Sequence, residues 1–423
     1  MGGLFPRHLF RVLTVFGAAS AVFLIFTSAA LAQNIINSGN SGDYYHNADE
    51  LHTNLSNPAV DHPELTLLAP TRGAVTYTTS GKVVVGNASL AYYHPWTGSA
   101  DLVTILRYFF INDQYYANIA YNQYRNNNTY WYPEHRDHDV RDNMHAMTPA
   151  VTLSQGSSGS EMDEVKKFIW TLAAFRTETK ELLKANGLLM PALQMISRRT
   201  RVADDEQYLT GAAHPSAFDN YNNALAMQQM AADMLPGQVP PMIQLEVIDD
   251  SYTGTAGTDI LQTSATQRLY QTPVSISRIW KNLNYTNRIL VSARNSFDVN
   301  ELPLTFHWKV IRGDPEHVRI IPQNARSSVV EIEIDYHNET VIPDSTRTTN
   351  MVAVGAFVHN GYYYSAPGFV SSYTSPVEMR TYEQQSGRLL EINYQTRPVL
   401  QLLPEIDGYP QSWSKDVFHY GQD

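Results

Sequence analysis

Glu134-His135-Arg136-Asp137-His138-Asp139 sets two imidazoles and three carboxylates directly after the aromatic run Tyr130-Trp131-Tyr132-Pro133. Imidazoles and carboxylates are the side chains that move protons near neutral pH and that hold divalent cations. In an acid/base reading Glu134, His135, Asp137 and His138 are the catalytic candidates. In a metal reading His135, His138 and Asp139 would be ligands, with Glu134 as a base beside the ion. The two histidines are three apart, on one face of a helix but on opposite faces of a strand, and the H-E-x-x-H spacing is missing. A third reading carries no chemistry: a solvated charged loop in which Arg136 pairs with a neighbouring acid.

A second polar stretch, Gln155-Gly156-Ser157-Ser158-Gly159-Ser160, precedes a helical pattern. Ser158 with Glu161, or Ser160 with Asp163, matches a capping box, which ties up free amides of the first turn. The same amides and the helix dipole could instead hold an anion or an oxyanion, with Gln155 and Ser160 as ligand contacts. Ser157 or Ser158 would then be a nucleophile, although neither serine has the glycines of a G-x-S-x-G elbow. Aromatic residues are dense from Tyr92 to Tyr132. Helical period assigns most of them to a core, while Tyr93, Trp96 and Trp131 flank His94 or the charged cluster and are candidates for stacking on a sugar.

The elements that position these groups alternate. Lys82 to Asn87 reads as a buried strand ending at a glycine turn, with Asn87 and Ser89 as polar candidates in the loop behind it. A helix through Leu102, Leu106, Phe109, Tyr116, Ala120 and Tyr124 follows and stops at Asn126-Asn127-Asn128. Strands are expected through Tyr130-Trp131-Tyr132 and Ala150 to Ser154, then one helix from Glu161 to Lys184 closed by Asn186-Gly187, then another from Asn220 to Met234. Alternating strands and helices imply a layered α/β domain, placed at 63–245, with partly parallel strands. If those strands are neighbours, the loops after Asn87, after Tyr132 and after Ser154 converge on one crevice beyond their carboxyl ends.

Arg7 and Arg11 precede an apolar run from Val12 to Leu31 that closes on Ala30-Leu31-Ala32. That is the pattern of a secretory signal peptide over 1–32, and it implies a secreted or periplasmic protein. Retention of the run as a membrane anchor is the rival, because its length just suffices to span a bilayer. Residues 33–62 are polar, with Asn37-Ser38-Gly39-Asn40-Ser41-Gly42 at their centre, and read as a flexible leader. Cysteine is absent, so there are no disulfides, thiolate ligands or cysteine nucleophiles. Taking the signal's two arginines from the 30 basic residues leaves 28 against 41 acidic ones, a net charge of −13. Such a surface argues against nucleic acid and anionic membrane as partners. A polysaccharide or small neutral molecule fits it better.

Past Pro240-Pro241 the pattern turns to short strands, clearest in Val329 to Asp335 and Val352 to Val358, and predicts a β-sandwich. Val291-Ser292-Ala293-Arg294-Asn295-Ser296-Phe297-Asp298-Val299-Asn300, followed by Pro303-Leu304-Thr305-Phe306-His307-Trp308, resembles the signature of the immunoglobulin-like PKD family. The resemblance covers about residues 285–373, and Ile311 to Pro315 replaces the family's glycine-rich turn. It implies an immunoglobulin-like fold over 246–373, with Trp308 packed between two sheets. Asp298 and Asn300 are explained by Asx turns. Met379 to Tyr382 and Leu389 to Tyr394 predict a hairpin in a C-terminal extension, 374–423. The fold class expected is thus α/β plus all-β. Two functions fit: an exported hydrolase acting on a neutral or sugar-containing substrate, with or without a divalent metal, or a non-catalytic carbohydrate-binding or envelope-associated protein.

Overall fold

The computed structural model describes residues 44–47, 71–72, 83–87, 114–134, 146–155, 161–215, 218, 222–251, 268–280, 282–341, 348–374, 379–393 and 415–420. Helices and several sheets are mixed. The first sheet has strands β1 (Tyr44–Asn47), β2 (Thr71–Arg72), β3 (Val84–Asn87), β4 (Asn128–Glu134) and β5 (Thr152–Gln155), in the order β2-β1-β3-β4-β5. β3, β4 and β5 are parallel neighbours, while β1 runs antiparallel to β2 and β3. Parallel strands need both faces covered, which explains why Asn128, Thr129, Tyr130 and Trp131 of β4 are buried without alternation.

Helix α1 (Gln114–Arg125) leads into β4, and the asparagine run ends it as the sequence predicts. Asn127 takes φ 63°, a left-handed turn that asparagine tolerates, and its side-chain amide donates to the Lys184 carbonyl. The stretch expected as one helix over 161–184 is two, α2 (Met162–Ala174) and α3 (Thr177–Ala185). Phe175 and Arg176 between them are extended, with ψ 140° and 142°. The side chain of Phe175, at the break, is fully buried in the core. Gly187 closes α3 at φ 62°, where an added Cβ would stand 2.4 Å from the Arg125 carbonyl oxygen, so only glycine fits.

Helix α4 (Leu189–Arg199) is absent from the sequence reading. Ten of its 11 residues are buried, among them the polar Gln194, Ser197 and Arg198. Pro191 falls in its first turn, where the missing N–H costs nothing. A short α5 (Asp205–Tyr208) and α6 (Ala224–Asp233) complete the helices. Asn223 caps α6 by accepting from the Ala226 N–H at 3.2 Å, three residues inside the predicted start. Among the described residues no helix is long and apolar enough to cross a membrane.

The second half of the chain is built of strands: β6 (Glu246–Asp250), β7 (Arg268–Thr272), β8 (Ser275–Trp280), β9 (Thr286–Ser292), β10 (Thr305–Arg312), β11 (Val318–Pro322) and β12 (Val329–Asp335). The short pair β13 (Thr340–Val341) and β14 (Thr348–Thr349) leads to β15 (Val352–His359) and β16 (Gly368–Thr374). One sheet has the order β11-β12-β9-β6, all antiparallel; the other has β10-β15-β16-β8-β7, in which β16 and β8 are parallel. The sequence reading lacked β7 and β8. Every residue of β8 is buried, including Arg278, and a buried arginine hides a strand from pattern reading. Arg278 Nε donates to Asp250 at 3.0 Å, joining β8 of one sheet to β6 of the other. At the chain end β17 (Met379–Tyr382) and β18 (Leu389–Asn393) form the expected hairpin, and β19 (Lys415–Val417) adds a third strand.

One hydrophobic core runs through both halves, from Val83, Trp131 and Phe168 to Val291, Val354 and Phe369. Hydrogen bonds join the halves as well. Ser275 Oγ donates to the Met147 carbonyl at 2.6 Å, Met147 N–H donates to Ser371 Oγ at 3.1 Å, and Tyr208 Oη donates to the Ser365 carbonyl at 2.8 Å.

Candidate functional site

The parallel register fixes where the candidate loops begin. Glu134 stands opposite Gln155 across the β4–β5 pair, so these two strands end flush. Asn87 stands opposite Trp131, which recesses the end of β3 by three residues, about 10 Å along the strand direction. Adjacent parallel strands lie about 4.8 Å apart, so Asn87, Glu134 and Gln155 mark one carboxyl edge spanning about 10 Å across. Beyond β3 the edge forms a step, with β4 and β5 rising past it. The carboxyl ends of three neighbouring strands therefore lie at the same side of the sheet, where open α/β sheets receive ligands.

The other sequence candidates fall differently. His135, Asp137, His138, Asp139, Ser157, Ser158, Ser160, Ser89, Tyr93 and Trp96 lie outside the described residues. Helix α2 has Glu161 as its N-cap, whose side chain makes no cap hydrogen bond. Among the described residues no group of three or more histidines, cysteines, aspartates or glutamates could hold a metal ion. Trp131, a candidate for stacking on a ligand, is a core residue with 0% exposure. Its ring centroid lies 5.1 Å from Phe168 and 5.8 Å from Phe218, so α2 and the 218 segment cover the indole and leave no face for a sugar. The parallel strand's double-sided burial overrides the exposure that its position beside a charged loop suggested.

Behind β4 and β5 lies a polar cluster that the sequence reading missed. Gln194 of α4 donates to Thr152 Oγ1 at 2.8 Å, and the Phe218 N–H donates to the Leu153 carbonyl at 2.7 Å. One helical turn past Gln194, the Arg198 guanidinium lies 4.9 Å from the Phe218 ring centroid and 5.8 Å from that of Phe369. Arg201 lies 5.1 Å from the same Phe218 ring. Tyr124, Tyr208 and His214 complete the cluster, with His214 Nε2 donating to the Tyr208 carbonyl at 2.6 Å. Burial pushes the Arg198 guanidinium down to about 10, and the phenols of Tyr208 and Tyr124 oppose the shift. Burial also holds His214 well below the ordinary histidine range, helped by the charge of Arg198. The only sequence signal was the arginine-rich Arg198-Arg199-Thr200-Arg201, which reads equally as charge matching a helix C-terminus.

A third feature is a groove of ≈ 810 Å³ along one end of the β-rich half. Arg294, Phe297, Glu301, Leu304, Phe306 and Arg326 are among the residues lining it. Its wall contains the Asp298 turn: Asp298 Oδ1 accepts from the Asn300 N–H at 2.8 Å and the Leu302 N–H at 3.3 Å, while Oδ2 accepts from Asn360 at 2.6 Å. Those bonds commit both carboxylate oxygens to the turn. Trp308 is half-buried and its indole donates to the Ser327 carbonyl at 2.8 Å.

No protein-family model matches the chain, and no curated protein is significantly similar to it. Among solved structures, a nucleoside hydrolase-related hypothetical protein from Saccharophagus degradans that is associated with carbohydrate metabolism is similar at 12% identity. The match covers 37% of this chain and 31% of that one, with a TM-score of 0.20, too slight a likeness to carry fold or function.

Proposed function

We propose that the chain is an exported hydrolase that acts on a neutral or sugar-containing substrate at the carboxyl edge of β3, β4 and β5. The reading rests on one observation, the register that sets Glu134 opposite Gln155 with Asn87 on the adjacent strand. Glu134, the last residue of β4, is the first of the six chemistry-bearing residues 134–139. In the mechanism Glu134 or Asp137 activates water, and His135 or His138 delivers a proton to the leaving group. The segment from Gln155 to Ser160 holds a polar group of the substrate. His135, His138 and Asp139 are the residues that would take a divalent metal if one is used.

The layered α/β part over 63–245 would be the catalytic unit, with a PKD-like, immunoglobulin-like sandwich over 246–373 appended to it and 374–423 as an extension. Support for the sandwich comes from strand order: β11-β12-β9-β6 and β10-β15-β16 follow the D-E-B-A and C-F-G arrangement of constant-type immunoglobulin domains. Export rests on the signal-like residues 1–32.

A second reading, a carbohydrate-binding or envelope-associated protein without turnover, is favoured by the groove, whose Phe297 and Phe306 offer apolar surface between Arg294 and Arg326. Product release separates the two. Hydrolysis of a neutral glycan that is lost in Glu134→Gln supports the enzyme; glycan binding without product, weakened by Phe306→Ala, supports the binding protein.

A further inference from the structure

Arg198 presents an electrostatic problem that the proposed hydrolytic edge does not solve. Its side chain is 2% exposed, and its Nε and Nη1 make no hydrogen bond. Among the described residues the charged or ionisable groups acting on it are Tyr208, Tyr124 and Arg201, two phenols and another cation, with no carboxylate. The buried carboxylate of Glu164 is spent elsewhere. It accepts from Lys167 at 2.5 Å and from Asn222 Nδ2 at 2.6 Å, and Asn222 Oδ1 in turn accepts from Arg201 at 3.3 Å. Burying a guanidinium without an anion costs several kcal/mol, and contact with two phenyl rings returns only about 2 kcal/mol each at best.

The surroundings share the deficit. Among the described residues Tyr124 Oη, Trp131 Nε1, His214 Nδ1, Ser197 Oγ and Gln194 Oε1 are also buried and make no hydrogen bond. These groups belong to one cluster: Gln194, Ser197 and Arg198 lie on the last turns of α4, Trp131 and Arg198 both touch Phe218, and His214 and Arg198 both touch Phe369. Native interiors leave few polar atoms unpaired. A concentration of them around an uncompensated cation marks a place where a polar anionic group belongs.

We propose that Arg198, with Arg201 on the same Phe218 ring, forms a buried site for a phosphate-type oxoanion. Arg198 supplies unpaired N–H donors and charge, and the Tyr124 hydroxyl and Trp131 indole supply further donors. His214 gives its Nε2 proton to the Tyr208 carbonyl, so in the neutral ring Nδ1 is an acceptor. Hydrogen phosphate suits such a mixture, since it carries both charged oxygens and a hydroxyl. The site is separate from the Glu134 edge, and its test does not depend on turnover.

The experiment is a titration of the full chain with inorganic phosphate at constant ionic strength, following the thermal midpoint. A site that binds only the folded state raises the midpoint with phosphate concentration according to its affinity. The expected result is a saturable rise that Arg198→Met weakens about tenfold or more in apparent affinity, the worth of one lost charged hydrogen bond. Arg198→Lys, which keeps the charge but loses the planar donors, is expected to respond between the two. No midpoint change in the wild type, or a rise that does not saturate, overturns the proposal. So does an equal rise in Arg198→Met. The wild-type titration decides the matter alone if the methionine variant does not fold.

Discussion

Arg198 and His214 are buried within one cluster, and burial acts on both by disfavouring charge. Arginine starts high enough to stay protonated at about 10, whereas histidine is driven neutral. For His214 this becomes a pH dependence of stability. In the unfolded chain its pKa is about 6.5, well above the folded value, so between the two the unfolded state binds more protons. Stability is therefore full above the unfolded value and is lost as pH falls below it. His307, His337 and His359 are lowered as well and act in the same sense. The thermal midpoint is expected to fall from pH 7 to pH 5. His214→Gln, which keeps an N–H for the Tyr208 carbonyl, should reduce the slope by up to about 1.4 kcal/mol per pH unit in denaturation at several pH values. An unchanged slope would mean that His214 binds protons equally in the folded and unfolded states. None of this was legible in the sequence, because His214-Pro215 in a polar stretch gives no sign of closure by Phe357 and Phe369. Trp131 was legible as a residue of interest but on the wrong side of burial.

Several elements read from period have one wet face. β12 alternates from Val330 to Asp335, α2 carries its stripe on Val165, Phe168, Ile169 and Leu172, and the asparagine stop of α1 stands where the sequence put it. β8 was missed because it is buried along its whole length with a charged residue inside, which breaks any pattern of apolar and polar positions. The β8 case carries an energetic consequence. The Arg278–Asp250 pair is buried at 1% and 0% exposure, and Arg278 also donates to the carbonyls of Tyr270 and Ser277. Removing one partner leaves a buried charge, so Asp250→Ala is expected to cost about 3–5 kcal/mol in chemical denaturation. Arg278→Met together with Asp250→Ala should cost less than Asp250→Ala alone, since the orphaned charge goes with it. A double variant worse than the single one would show that the arginine holds the sheets by its carbonyl bonds rather than by the ion pair.

For the molecule as a whole, the sequence suggested separate units meeting near residue 245, and the change from helices to strands does fall there. Packing does not stop at that point: Tyr208 reaches Ser365, Met147 is held by Ser275 and Ser371, and one apolar core includes Trp131 and Val370. Calorimetry is therefore expected to give a single cooperative transition, and two resolved transitions would contradict a shared core. The carboxyl edge itself was legible because parallel neighbours follow from alternating strands and helices. The three-residue recess of β3 was not, since register depends on pairing that no single strand encodes. That edge carries the functional account, and its most direct test is release of reducing ends from a panel of neutral glycans by the wild type and by Glu134→Gln. The account predicts hydrolysis of at least one glycan, about 100-fold or more slower in the variant, with equal thermal midpoints. Hydrolysis unaffected by Glu134→Gln, or glycan binding with no product from the wild type, would contradict it.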